Sequence, residues 1–226
     1  MRRVFGILIF LITAPAHAAN VLLDDFNRAD SPTLGGNWIG SSCAIASGRA
    51  NCSADDASEI YGGVTSNSIS ADVFHTGTGL DYGALVLGYN DISSQLYIKL
   101  QSTGGANGFD RIGFYFGEQG MSNNAWSDSG FGDIGETFSA ARFSITLTGT
   151  NLLVEIDTDF DNLTDIQFLR TDVPVHLLGD GIGIAGWTGQ GATLDNFSAN
   201  IVPIPAAMWL MSSALGLLGW FRRIRV

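Results

Sequence analysis

The sequence predicts an all-β fold, a two-sheet jelly-roll sandwich, on three observations. Apolar residues in the middle of the chain recur with period two, the spacing of a half-buried strand, and no stretch sustains helical spacing. Clusters of Gly, Asn, Asp and Ser interrupt the alternation at short intervals, as turns require. About thirteen short strands follow, and so many need two packed sheets or a barrel to hide their apolar faces. Apolar content is sufficient for one well-buried core between Asn20 and Ile201, with no internal repeat and no linker before Val202.

The expected strands run in order Val21 to Phe26, Ala44 to Ser47, Arg49 to Ser53, Glu59 to Val64, Ser68 to His75, Ala84 to Tyr89 and Leu96 to Gln101. They continue with Arg111 to Phe116, Ala141 to Leu147, Leu152 to Asp157, Asp165 to Arg170, Ile182 to Trp187 and Ala192 to Ile201. The glycines between them read as turn and close-packing positions.

Both ends read as addresses. Arg2 and Arg3 precede an apolar run from Val4 to Ile12, and Ala16-His17-Ala18 supplies a small-x-small cleavage site, so residues 1–19 form a secretory signal peptide. At the other end Val202-Pro203-Ile204-Pro205-Ala206 breaks the chain before an apolar segment ending in Phe221, followed by Arg222-Arg223-Ile224-Arg225. Helical from Ala206, that segment spans roughly 24 Å against a hydrocarbon core of about 30 Å, a marginal transmembrane helix whose arginines stay in the cytoplasm. Residues 202–226 resemble a PEP-CTERM sorting signal in its Val-Pro-Leu-Pro-Ala variant, with Ile204 in place of Leu. The resemblance implies cleavage by an exosortase-type protease after a transient stay in the inner membrane with the domain in the periplasm. The destination would be the cell surface or the extracellular matrix. A permanent single-span anchor is the alternative.

Charge narrows the partners. All 22 Asp and Glu lie between the two end segments, against six Lys and Arg there, a formal charge of −16. Such a surface repels phosphate backbones, which excludes nucleic acid and favours neutral glycans or cations. The only cysteines, Cys43 and Cys52, flank a two-residue turn at Ser47-Gly48. That turn puts them opposite each other on a hairpin, and export makes a disulfide the default.

Three segments resemble a second family. Asp24-Asp25-Phe26-Asn27-Arg28-Ala29-Asp30, Leu34-Gly35-Gly36-Asn37-Trp38 and the closing Leu194-Asp195-Asn196-Phe197 are similar to secreted laminin-G-like domains of the concanavalin A-like fold. The resemblance implies that opening and closing strands lie side by side, and leaves function open because that fold hosts lectins, hydrolases and structural modules. Phe26, Leu34 and Trp38 read as core residues, and Arg28 as an ion-paired structural residue among aspartates.

Leu152-Leu153-Val154-Glu155-Ile156-Asp157-Thr158-Asp159-Phe160 carries the richest chemistry. Alternation separates Leu152, Val154 and Ile156 from Glu155, Asp157 and Asp159. Same-face carboxylates roughly 6.5 to 7 Å apart lie within side-chain reach of the ~5 to 5.5 Å a retaining glycosidase needs. The stretch resembles the Glu-x-Asp-x-Glu strand of laminarinase-type jelly-roll hydrolases, which implies Glu155 as nucleophile, Asp157 as helper and Asp159 as acid/base. Asp159 departs from that pattern by one methylene. A second reading is ionic: Asp157, Asp159, Asp161 and Asp165 alternate as in calcium loops, with Leu163 offering a carbonyl. Asn162 and Phe168 stand where an EF-hand has Gly and Glu, so that motif is excluded. A solvated hairpin with aspartates at its turn is the third reading.

For ligand binding, pairing of the strands Leu96 to Gln101 and Arg111 to Phe116 would gather Tyr97, Lys99, Gln101, Arg111 and Tyr115 on one sheet face, with Trp126 in the following loop. Aromatic platforms beside planar donors suit sugars. An ordinary solvent-facing strand pair carries the same residue types. His75 and His176 have no Cys or His neighbours for a transition-metal site, and no nucleophile elbow or phosphate-binding loop occurs. The expectation is therefore an exported, non-enzymatic glycan-binding or structural module, calcium its only candidate cofactor, with a Glu155/Asp157/Asp159 glycoside hydrolase as the rival.

Overall fold

The computed structural model describes residues 19–52, 58–75, 77, 81–103, 108–117, 130–187 and 192–201. The signal segment, the sorting motif with its apolar tail, and Trp126 lie outside the described residues. Asn20–Ile201 form one compact unit. Among the described residues no helix is long and apolar enough to cross a membrane.

The first strands are β1 (Ala19–Asp24), β2 (Trp38–Ile39), β3 (Cys43–Ala46), β4 (Arg49–Cys52), β5 (Ser58–Tyr61), β6 (Ser68–His75), β7 (Tyr82–Asp91) and β8 (Ser94–Gln101). They are followed by β9 (Phe109–Phe116), β10 (Gly130–Phe138), β11 (Ala140–Thr148), β12 (Asn151–Asp157), β13 (Ile166–Arg170), β14 (Gly181–Trp187) and β15 (Ala192–Ile201). One 3-10 turn, Val175–Leu177, precedes β14. The strands build an eight-stranded sheet in the order β13-β12-β11-β6-β15-β4-β3, with β1 also on β15, and a seven-stranded sheet in the order β10-β9-β8-β7-β14-β5-β2. Two packed antiparallel sheets are the sandwich that the alternation requires. Between them lies one core, in which Leu96, Ile98, Leu100, Phe114, Phe143, Val154, Ile156 and Leu194 are buried.

Each of the thirteen expected segments holds a strand, and among the described residues two further strands are present. β2 has only two residues, too few for a periodic signal. β10 begins in Gly130-Phe131-Gly132, where glycines hide the alternation; a Cβ on Gly132 would stand 3.2 Å from Ile112, so the small residue lets β10 lie close on β9. Phe26, expected within the first strand, lies outside it. Its φ of 49° ends the strand, and the Asp24 carboxylate accepts its N–H at 2.8 Å.

The hairpin β3–β4 has the expected register, Cys43 opposite Cys52, and the two are disulfide-bonded. Its turn residues Ser47 and Gly48 both have positive φ, 53° and 71°, which matches the right-handed twist of the flanking strands. At the opening of the chain, Arg28 donates two bonds to Asp24 (2.5 and 3.0 Å) and one to the Leu34 carbonyl, while Trp38 Nε1 donates to Asp24 at 2.7 Å. Phe26, Leu34 and Trp38 are core residues, and Trp38 meets Phe197 of β15 with ring centroids 5.1 Å apart. Opening and closing strands are thereby locked side by side.

Candidate functional site

The chemistry-bearing residues fall on two opposite faces of the sandwich. On the seven-stranded sheet, β8 and β9 pair in the expected register, with Tyr97 opposite Tyr115, Lys99 opposite Gly113 and Gln101 opposite Arg111. Their inward neighbours Leu96, Ile98 and Leu100 belong to the main core, so Tyr97 and Lys99 point to the other side. There they join a second apolar cluster of Tyr82, Ala84, Val86 and Ala185. Lys99 Nζ stands 4.3 Å from the Tyr82 ring centroid and 5.1 Å from that of Tyr115, and the Tyr97 hydroxyl donates to the Tyr82 hydroxyl at 3.0 Å. Two rings around one ammonium stabilise it where water is excluded.

Burial divides this face. Tyr97 and Lys99 are both 0 % exposed, whereas Gln101 and Tyr115 are partly exposed and Arg111 is exposed. A ligand arriving from solvent would therefore first meet Arg111, Gln101 and Tyr115. Tyr82, which sequence reasoning missed, completes the arrangement. It lies two residues before the expected strand start at Ala84, and extending the alternation backwards would have found it.

The opposite face belongs to the eight-stranded sheet. Register places Asp157 of β12, Arg142 of β11 and Asp72 of β6 in one row. Arg142 Nε donates to Asp72 at 2.9 Å and its Nη1 donates to Asn162 Oδ1 at 2.6 Å, tying the β12–β13 loop to the sheet. Asp72 accepts a second bond from Asn196 at 2.8 Å. Phe160 stacks on Phe74 with centroids 6.1 Å apart. Sequence reasoning did not find Arg142 or Asn162, because only the register brings them beside residues distant in the chain.

In the loop itself, one ligand atom each from Asp157, Asp159 and Asp165 lies within 4.8 Å of the others. Asp157 is 7 % exposed; its Oδ2 accepts the Asn162 N–H at 2.9 Å, and its buried Oδ1 has no hydrogen-bond partner among the described residues. Phe160 and Asn162 adopt positive φ, 63° and 70°, which folds the loop back over the strand end. Asp161 stands outside the trio and accepts the Leu163 N–H at 2.7 Å. The Asp161 N–H pulls the Asp159 carboxyl down, but desolvation and the charges of Asp161, Asp165 and Asp157 outweigh it and hold the group above its ordinary value. Asp165 lies below its ordinary value because the Thr158 hydroxyl and N–H both donate to it. Three converging carboxylates, one with an unmatched buried oxygen, are a donor set suited to a hard cation.

The three residues of the hydrolase reading do not form one strand row. Glu155 projects from β12 and accepts from Thr164 at 3.2 Å, Asp157 closes the strand, and Asp159 lies beyond its end in the loop. Glu155 and Asp157 do line one open pocket of about 240 Å³, together with Asn20, Arg142, Ser144 and residues 162–164.

Two buried acids elsewhere were not legible in the sequence. Glu59, 1 % exposed, accepts the N–H groups of Ser42 and Cys43 and so fixes the start of β3. His75 Nε2 lies 3.0 Å from Asp81 Oδ1 without the alignment of a hydrogen bond. Burial, opposed by the charge of His75, raises the Asp81 carboxyl.

The fold defines the class: an all-β, two-sheet antiparallel sandwich, consistent with a jelly roll. No protein-family model and no curated protein matches the chain. Among solved structures, the CBM2 module of the evolved Dit of Lactobacillus casei BL23 phage J-1 is similar at TM-score 0.52 and 14 % identity, over 80 % of this chain and 95 % of that one. The exoplasmic/lumenal domain of VIP36, in its Ca2+/Man2-bound form, is similar at TM-score 0.52 and 13 % identity, over 83 % and 90 %. The GH43 protein BlXynB of Bacillus licheniformis is similar at 0.51 and 12 %, and this chain covers 79 % of its own length but only 39 % of that protein. At these identities the likeness is one of fold.

Proposed function

We propose that the protein is an exported surface module that binds glycan without cleaving it, using the solvent-reaching edge of the β8–β9 pair at Gln101, Arg111 and Tyr115. The observation that carries this reading is the cluster in which Lys99 is held between Tyr82 and Tyr115 while Arg111, Gln101 and Tyr115 face solvent. The partly exposed Tyr115 ring, held from beneath by the buried cluster and flanked by the planar donors of Arg111 and Gln101, suits the mixed apolar and hydroxylated faces of a sugar. Carbohydrate-linked neighbours of the same fold and the acidic surface support a neutral glycan. The two end segments support the route: secretory export, a transient membrane stay, and exosortase-type removal of the tail at the cell surface.

Calcium at Asp157, Asp159 and Asp165 belongs to the same proposal, supported by the unmatched Oδ1 of Asp157. There it would hold the β12–β13 loop.

A glycan array probed with the purified protein tests the binding reading. At least one neutral glycan is expected to bind, with affinity falling tenfold or more in Arg111→Ala/Tyr115→Ala at unchanged melting temperature. Binding that this double variant leaves untouched, or none on the array, contradicts it.

A further inference from the structure

The loop that gathers the three carboxylates also walls the pocket on the eight-stranded sheet. Asp157 belongs to both, and residues 162–164 form the pocket's edge. The calcium reading above is the starting point. A calcium ion takes six to eight oxygens, and three carboxylates leave several positions for water or for oxygens of a ligand. The unmatched Oδ1 of Asp157 is the second mark of an absent partner, because a buried carboxylate oxygen without a donor is costly.

The rest of the pocket indicates what that ligand is. Glu155 offers acceptors, Asn20 and Asn162 offer amides, Ser144 offers a hydroxyl, and Leu163, 68 % exposed, gives an apolar edge. Arg142 is the cation of the wall and is already engaged with Asp72 and Asn162. Acids outnumber cations, so an anionic ligand is disfavoured and a neutral polyol is favoured. The pocket is small and open, about 240 Å³, which limits what it holds to a single small unit. We propose that calcium in the β12–β13 loop binds one pyranose of a neutral glycan here, two adjacent hydroxyls completing its coordination and Glu155 and Asn20 holding the others. This would be a second glycan site, on the sheet opposite the first.

The test combines calcium calorimetry on the purified, chelator-stripped protein with electrophoresis through gels containing a β-glucan, a mannan or a galactan. Calcium is expected to give a binding heat that Asp159→Asn/Asp165→Asn abolishes. Retardation by at least one polysaccharide should fall tenfold or more in chelator or in that variant. In Asn20→Ala it should fall at least threefold while the calcium heat persists. A calcium heat with retardation indifferent to chelator overturns the second site and leaves the structural calcium standing. Absence of any calcium heat overturns both. Retardation lost only in Arg111→Ala/Tyr115→Ala assigns the glycan to the other sheet and also overturns the second site.

Discussion

The two faces of this sandwich handle charge in opposite ways. On the seven-stranded sheet, the single lysine of the chain is fully buried, with its ammonium over the rings of Tyr82 and Tyr115. On the eight-stranded sheet, carboxylates of the same sign are brought together in a loop, one of them with an oxygen that no donor among the described residues reaches. The first arrangement offers its charge a set of aromatic partners within the fold. The second gathers like charges at one point, the donor set on which the calcium proposal rests.

The contrast is broken most strongly at Lys99. Lys99→Ala removes a buried side chain and its contact with two rings, and is expected to cost about 2–4 kcal/mol in urea unfolding. An exposed residue, Leu169→Ala, should change stability by less than about 0.5 kcal/mol. If Lys99→Ala proves equally mild, the buried cation is not part of the packing.

Arg142→Met sharpens the comparison from the other sheet. It leaves Asp72, 4 % exposed, with only the Asn196 amide and frees the loop from its tie at Asn162. The expected loss is about 1–3 kcal/mol, with calcium affinity reduced as well. Unchanged affinity would show that the carboxylates hold their geometry without that tie.

The smallest effect is expected at Asp159, and its sign is the informative part. A carboxyl held above its ordinary value by neighbouring charges contributes stability at low pH that is lost as pH rises through its native value. In chelator, Asp159→Asn should therefore melt slightly higher than the wild type at neutral pH, with the difference vanishing below pH 3.8, the ordinary value. Calcium should reverse the order. A variant that melts lower in chelator at neutral pH would mean that repulsion in the loop is not felt.

Much of this was legible in the residues. Alternation in Leu96-Tyr97-Ile98-Lys99-Leu100 and in Val154-Glu155-Ile156-Asp157 fixes which side chains enter the core, and the β8–β9 and β12–β13 pairings follow from the loops between them. Local turn chemistry at Ser47-Gly48 was enough to pair Cys43 with Cys52. What sequence could not supply was depth and distant register. Nothing in the alternation says that the outward-pointing Tyr97 and Lys99 are enclosed, because a second buried layer looks like an ordinary polar face. Nor can it place Arg142 between Asp72 and Asp157, which lie 70 residues before it and across a hairpin. Asp161 shows the limit of motif spacing: it fits the alternating acidic pattern, yet the loop turns it to the Leu163 N–H and leaves three carboxylates together.

The central claim is that this molecule holds a glycan and does not cleave it. The most direct measurement is to incubate the purified protein with the polysaccharide that retards it most and follow new reducing ends over a day, beside Glu155→Gln. The account predicts retention of polymer with no release above the blank in either protein. Steady release by the wild type that Glu155→Gln abolishes would contradict it and make the β12 carboxylates a hydrolase.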